Sequence, residues 1–170
     1  MTPFFSTPDR IAALRAAATE WLGTPFMPNA AVKGVGVSCQ KLVGAVYQQA
    51  GCIAADFEIP EGPMDWSHAH TDSLVTAFLT LQPNFAEVTP LQPSPGDLLG
   101  FRIGGCINHC GVLLTSAGHF LHCLRDSQGV RLSNVNDATY RQRLEKVWRP
   151  LELNPAPTAQ SPTPSTGGAL

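Results

Sequence analysis

The sequence is short of charge and nowhere concentrates it. Only 14% of its 170 residues are charged, and the net charge is −2. Lysine and arginine form no block, which argues against nucleic acid as the main partner and against docking on a polybasic membrane surface. No apolar run approaches the ~18–20 residues of a transmembrane helix. The start, Met1-Thr2-Pro3-Phe4-Phe5, has no basic region followed by a long apolar one. No secretory signal is therefore expected, and synthesis is expected to leave the chain in the cytoplasm. The five cysteines (Cys39, Cys52, Cys106, Cys110, Cys123) are odd in number and lack the dense spacing of a disulfide framework, so reduced thiols are expected. There is no internal repeat. The length suits one domain with a real core.

What stands out is Gly34-Val35-Gly36-Val37-Ser38-Cys39-Gln40-Lys41-Leu42-Val43, a glycine-loosened loop running into an amphipathic helix. Leu42, Val43, Val46, Tyr47 and Ala50 fall at helical spacing, and Gly51 is a natural stop. Cys39 is thus predicted in or just before the first turn. Unpaired backbone N–H groups and the helix dipole favour an anion there, and a thiol so placed has a lowered pKa. The position suits a nucleophile, with an oxyanion site beside it. A buried structural cysteine is the alternative.

Around this stretch the chain reads as helices first and strands later, an α+β pattern. Thr7-Pro8-Asp9 is a helix start, followed by an apolar stripe of Ile11, Leu14, Ala18, Trp21 and Leu22 that Gly23-Thr24-Pro25 ends. Residues 25–38 read as loop. Residues 52–70 read as irregular, with Trp66 expected as one wall of a cleft and His68 and His70 solvated. Asp72 or Thr71 is expected to cap a further helix carrying Leu74, Val75, Phe78 and Leu79. Residues 85–89 are expected as a short strand, followed by a stiff proline-rich connection over 90–96. Then come strands at Leu98–Ile103, His109–Thr115, His119–Leu124, Val130–Ser133 and Val147–Arg149, separated by Gly, Asp and Ser turns, with a helical turn within 136–145. The folded domain is expected over 1–152. The Pro/Thr/Ser/Gly-rich segment 153–170 is expected to be disordered, because it cannot bury enough apolar surface to offset its ordering entropy.

A cysteine nucleophile needs a base. The candidates are His68, His70, His109, His119 and His122. His109 is expected at a strand end, facing a cleft. His119 and His122 are an odd number apart, so only one of them faces that cleft in a regular strand. His122, inside its strand, is the better orienting partner for His109. A rival arrangement is a metal site among Cys106, His109, Cys110, His122 and Cys123. Its Cys-x-x-His-Cys spacing is not a standard ligand pattern, and adjacent His109 and Cys110 point to opposite faces of a regular strand. No metal and no cofactor is expected.

Trp21-Leu22-Gly23-Thr24-Pro25-Phe26, Gly34-Val35-Gly36-Val37-Ser38-Cys39, Pro95-Gly96-Asp97-Leu98-Leu99-Gly100-Phe101, Asn108-His109-Cys110-Gly111-Val112-Leu113 and Phe120-Leu121-His122 occur in the order seen in NlpC-type cell-wall cysteine peptidases. The chain resembles that family over roughly residues 8–151, most of all its phage-tail-associated branch. The resemblance implies a papain-like fold, with N-terminal helices packed on a small antiparallel sheet of about five strands. It implies Cys39 as nucleophile, His109 as base and His122 as orienting residue, with Ser38, Phe26, Trp66 and Asn108 about the substrate. It further implies hydrolysis of peptidoglycan stem peptides between D-glutamate and a diamino acid, and delivery to the wall with phage tail proteins or through a secretion system. The sequence departs from the family pattern at Ser38, usually Asp, at Phe26, usually Tyr, and at Cys110, usually a small or β-branched apolar residue. These departures keep two alternatives in view. One is a papain-like amidase or acyltransferase with another substrate. The other is a catalytically degenerate tail or structural protein.

Overall fold

A computed structural model describes residues 1–60, 62–63, 68, 70–125 and 129–152. Trp66 and the segment 153–170 lie outside the described residues.

Helix α1 spans Pro8–Thr19, with the Thr7 hydroxyl accepting from the Arg10 N–H and Pro8 at the first helical position. The helix stops short of Trp21. Trp21 is buried in a following turn, whereas Leu22 is largely exposed, so the apolar stripe outruns the helix. The loop predicted over 25–38 contains a small hairpin, β1 (Ala31–Val32) and β2 (Gly36–Val37). Strands of two residues carry no readable periodicity, which is why the hairpin escapes the sequence. Helix α2 (Cys39–Gln49) buries Leu42, Val43, Val46 and Tyr47, as its spacing predicts. Helix α3 (Leu74–Thr80) is capped by Ser73, not by Thr71 or Asp72. The Ser73 hydroxyl accepts from the Thr76 N–H and donates to the Ile107 carbonyl, a tertiary tie that neighbouring residues do not signal.

The main sheet has six strands, one more than the resemblance implies: β3 (Phe85–Val88), β4 (Leu98–Ile103), β5 (Cys106–Leu113), β6 (His119–Leu124), β7 (Gly129–Asn134) and β8 (Leu144–Pro150). Helix α4 (Ala138–Arg141) lies between the last two. All pairings are antiparallel, in the order β3-β8-β4-β5-β6-β7. The edge strand β3, which the sequence reading expects over 85–89, is held by β8.

Helix α2 lies against β5 and β6, with α1 packed on α2 and α3 on β5. The core on this side contains Leu42, Val46, Tyr47, Val112, Leu121 and Trp148. The other side of the sheet gathers Leu99, Phe101, Leu113, Phe120 and Val147, with Tyr140 of α4 against them. Strand β5 is central and covered on both faces, so it reads as a nearly continuous buried run.

The Pro95-Gly96-Asp97 segment ties these layers together. Gly96 has φ +95°, and a Cβ there would lie 2.3 Å from the Phe5 ring. Its carbonyl accepts from the buried Tyr47 hydroxyl at 2.8 Å, which anchors α2 to the start of β4. The Asp97 carboxylate is buried and takes two hydrogen bonds from the Arg149 guanidinium, at 2.9 and 2.8 Å.

Candidate active site

Ser38 is the N-cap residue of α2, with extended backbone, and Cys39 is the first helical residue. The chain reaches this point fixed by short-range ties: Val37 donates to the Pro25 carbonyl, Met27 to Val37, and Ser38 to Ala30. The first N–H groups of a helix have no acceptor within it. The Cys39 sulfur therefore sits beside unsatisfied donors. The Ser38 hydroxyl adds another: it is buried and, alone among the buried side-chain polar atoms of the described residues, lacks a hydrogen-bond partner.

His109 comes from the middle of β5, not from a strand end. The strand begins earlier than predicted, at Cys106, because the Gly104-Gly105 turn closes the hairpin directly. A bulge then intervenes. Phe101 pairs with His109 and Arg102 with Ile107, which leaves Asn108 as an extra residue on β5. Ile107 and Cys110, three positions apart, consequently both join the core beneath the helices, which a regular strand forbids. Bulges raise local twist and re-aim neighbouring side chains. Here the result is that Ile107 and Cys110 both face the helices, while His109 turns its ring to Phe101 and His122 and lines the cleft that Cys39 also lines.

Two neighbouring residues and burial set the Cys39 ionisation. Cys110 beside it is the largest influence, opposed by burial and aided by the neighbouring His109 and its charge. Together they hold the thiol well below its ordinary range.

His122 lies on β6 opposite Gly111, on the same face as His109. Its Nδ1 is 3.0 Å from His109 Nε2. Its Nε2 is 2.9 Å from Ser133 Oγ, and the Ser133 hydroxyl donates to Tyr140 Oη at 3.3 Å. Burial first, then the charges of His109 and Arg131, push the His122 pKa down to about 3. The ring is therefore neutral. The chain of partners assigns its tautomer: His109 Nε2–H donates to His122 Nδ1, and His122 Nε2–H donates to Ser133. Phe120 packs on the His122 ring, with ring centres 4.7 Å apart, and Tyr140 meets its edge at 5.3 Å.

Cys39, His109 and His122 are thus brought together in one line. Ser38, Phe26 and Asn108 line the same cleft, of about 660 Å³. Exposed His68 lies on its wall, and Trp66 cannot be placed there. His119 points away, its ring bonded to Thr115. The rival ligand set does not converge, since no three His, Cys, Asp or Glu side chains among the described residues are grouped to hold a metal.

Sequence reasoning misses Ser133 and Tyr140, which continue the line from His122. It also misses Arg125, Arg131 and Arg143, which line the cleft from β6–β7 and the turn after α4. The signal for Ser133 was available once β6–β7 register was known, for it lies two residues beyond Arg131, the partner of His122.

Residues 21–149 match the model of the NlpC/P60 family, and the chain belongs to that family. Among solved structures, it is similar to a protein described as similar to lipoprotein, NLP/P60 family, from Staphylococcus aureus (16% identity, TM-score 0.62). That likeness covers 90% of this chain but only 45% of that one. It is also similar to the NlpC/p60 domain of peptidoglycan hydrolase SagA (18% identity, TM-score 0.53), over 81% of this chain and 96% of that one. No curated protein sequence matches. The likeness reaches the family and its fold, not a branch within it.

Proposed function

We propose that the protein is a cysteine endopeptidase that hydrolyses peptidoglycan stem peptides at the bond between D-glutamate and a diamino acid. The observation that carries this reading is Cys39 at the start of α2, lining one cleft with His109, which His122 in turn holds at 3.0 Å. The family and the SagA likeness support a cell-wall substrate. The cleft agrees with such a substrate. Arg125, Arg131 and Arg143 line it, and none is paired with a described carboxylate, so the free carboxylates of a stem peptide find cations there.

In this mechanism the Cys39 thiolate attacks the peptide carbonyl carbon while the proton resides on His109. The backbone N–H of Cys39 and the unpartnered Ser38 hydroxyl donate to the oxyanion. His109 passes its proton to the leaving amine. It then takes one from the water that hydrolyses the thioester, and Cys39 is regenerated. Neutral His122 accepts from His109 Nε2–H throughout and keeps the reactive nitrogen turned toward sulfur.

The test is a mass-spectrometric digest of purified stem peptides with the protein and with Cys39→Ala. New fragments with the parent protein and none with the variant are expected, and their masses read out the bond. Equal fragmentation by both would remove Cys39 from the reaction. No fragmentation by either would remove the substrate.

A further inference from the structure

We propose that Ser133 is a positioning residue for the reaction: its hydroxyl oxygen accepts from His122 Nε2–H and thereby commits His122 Nδ1 to accept from His109. The proposal rests on His109 as the base. Ser133 Oγ lies 2.9 Å from His122 Nε2 and 3.3 Å from Tyr140 Oη, to which its hydroxyl donates. The register of β6 and β7 makes this contact. Ser133 pairs with Phe120, which is two residues from His122 and on the same face, so the hydroxyl meets the ring across the diagonal. His122 is fully buried, so a ring nitrogen without a protein partner is costly there.

The hydrogen bond between the two histidines can run in either direction. If His109 donates from Nε2, its Nδ1 is bare and can take a proton. If His122 donates from Nδ1, the neutral His109 ring holds its proton on Nδ1 and cannot act as a base. The two rings alone do not decide between these arrangements. The decision lies on the far side of His122. Ser133 gives its own proton to Tyr140, which leaves its oxygen lone pairs for His122 Nε2–H. Tyr140 Oη is a second polar group at that nitrogen, 3.5 Å away. The rings of Phe101 and Phe120 pack on Tyr140, with centres 5.8 and 5.0 Å away, and keep its hydroxyl at this spot. Without the Ser133 oxygen, a phenol that donates to a bare Nε2 becomes the better satisfied arrangement. The His122 proton then moves to Nδ1, and the His109 base is lost.

The experiment records long-range proton–nitrogen NMR spectra of the histidine rings at neutral pH, in the full chain, in Ser133→Ala and in Ser133→Thr. His122 is assigned as the ring missing from the spectrum of His122→Gln. In the parent its Nε2 should carry the proton and its Nδ1 should be bare. Losing the acceptor of a buried N–H is expected to move the ratio of the two tautomers by about tenfold or more toward Nδ1–H in Ser133→Ala. The kcat for stem peptides should fall in proportion to the remaining Nε2–H fraction, with KM unchanged. Ser133→Thr keeps the oxygen and should keep the parent's tautomer and kcat. Nδ1–H in the parent, a parent-like tautomer in Ser133→Ala, or equal shifts in both variants would overturn the proposal. If Ser133→Ala does not fold, Ser133→Cys, a far weaker acceptor, replaces it with the same outcomes. The tautomer is read without substrate, so the two readings fail separately. A tautomer that follows Ser133 in a protein that cuts no stem peptide would sink the peptidase and leave Ser133 standing as the group that orients His122.

Discussion

His122 stays neutral because the fold does not let it charge. Its pKa falls from the ordinary 6.5 to about 3, chiefly through burial between Phe120 and Tyr140. The unfolded chain takes up the proton first as pH falls. The associated stability is therefore complete above about pH 6.5 and is lost progressively down to about pH 3. At pH 5 the loss from this residue is about 2 kcal/mol, from roughly 1.4 kcal/mol per pKa unit. His122→Gln supplies a non-titrating acceptor for His109. Urea unfolding at pH 7.5 and pH 5 should show the parent losing about 2 kcal/mol more than this variant between the two conditions. Equal losses would mean that His122 titrates normally in the folded protein. The same neutrality explains why a histidine serves as the orienting group: a charged ring would present two donors and no acceptor to His109.

Bringing His109 and His122 within 3.0 Å is the work of two strands, and Gly111 is the residue of β5 that pairs with His122. A Cβ at Gly111 would meet the Leu121 carbonyl at 2.7 Å and the Phe120 ring at 2.8 Å. Gly111→Ala therefore has to push β6 away, because the nearest obstacle is backbone. Overpacking of this kind costs about 1–3 kcal/mol. The displaced strand carries His122, so kcat should fall by an order of magnitude or more, with KM little changed. Stem-peptide kinetics and thermal melts check both. An unchanged kcat would show that the His109–His122 contact tolerates strand movement. Gly111 also marks how far the sequence could be read. Leu98–Ile103 and His119–Leu124 are strands with the predicted bounds, and the parity of His119 against His122 selects the ring that faces His109. That step needs only the two-residue repeat of a strand. What parity cannot supply is an added residue. The bulge at Asn108 breaks the repeat between Ile107 and His109, while the adjacent His109 and Cys110 still serve opposite faces, Cys110 in the core under the helices and His109 against Phe101 and His122. The Ser73 cap is hidden for a related reason: its hydroxyl also bonds Ile107, 34 residues away.

Across the whole molecule the charge is nearly balanced at −2, yet its distribution about the cleft is one-sided. Arg149 is tied to Asp97 and Arg102 to Glu145. Arg125, Arg131 and Arg143 are exposed at the cleft, and no described carboxylate among its lining residues faces them. Ser38 and Phe26 extend the same bias, since the aspartate and tyrosine usual at those positions would favour an amine. Exposed cations act over about one Debye length, ~8–10 Å at moderate salt, so the three arginines bias substrate capture more than the bond-breaking step. Arg131→Gln with Arg143→Gln should raise KM for stem peptides about tenfold and leave kcat within about twofold, because neither guanidinium touches the Cys39–His109 pair. The parent enzyme's KM should rise with added salt, and the double variant's should rise less. Amidation of the substrate carboxylates should raise KM for the parent alone. If KM were instead indifferent to all three changes, the arginines would be surface charge and recognition would rest on the neutral wall formed by Phe26, Ser38 and Asn108.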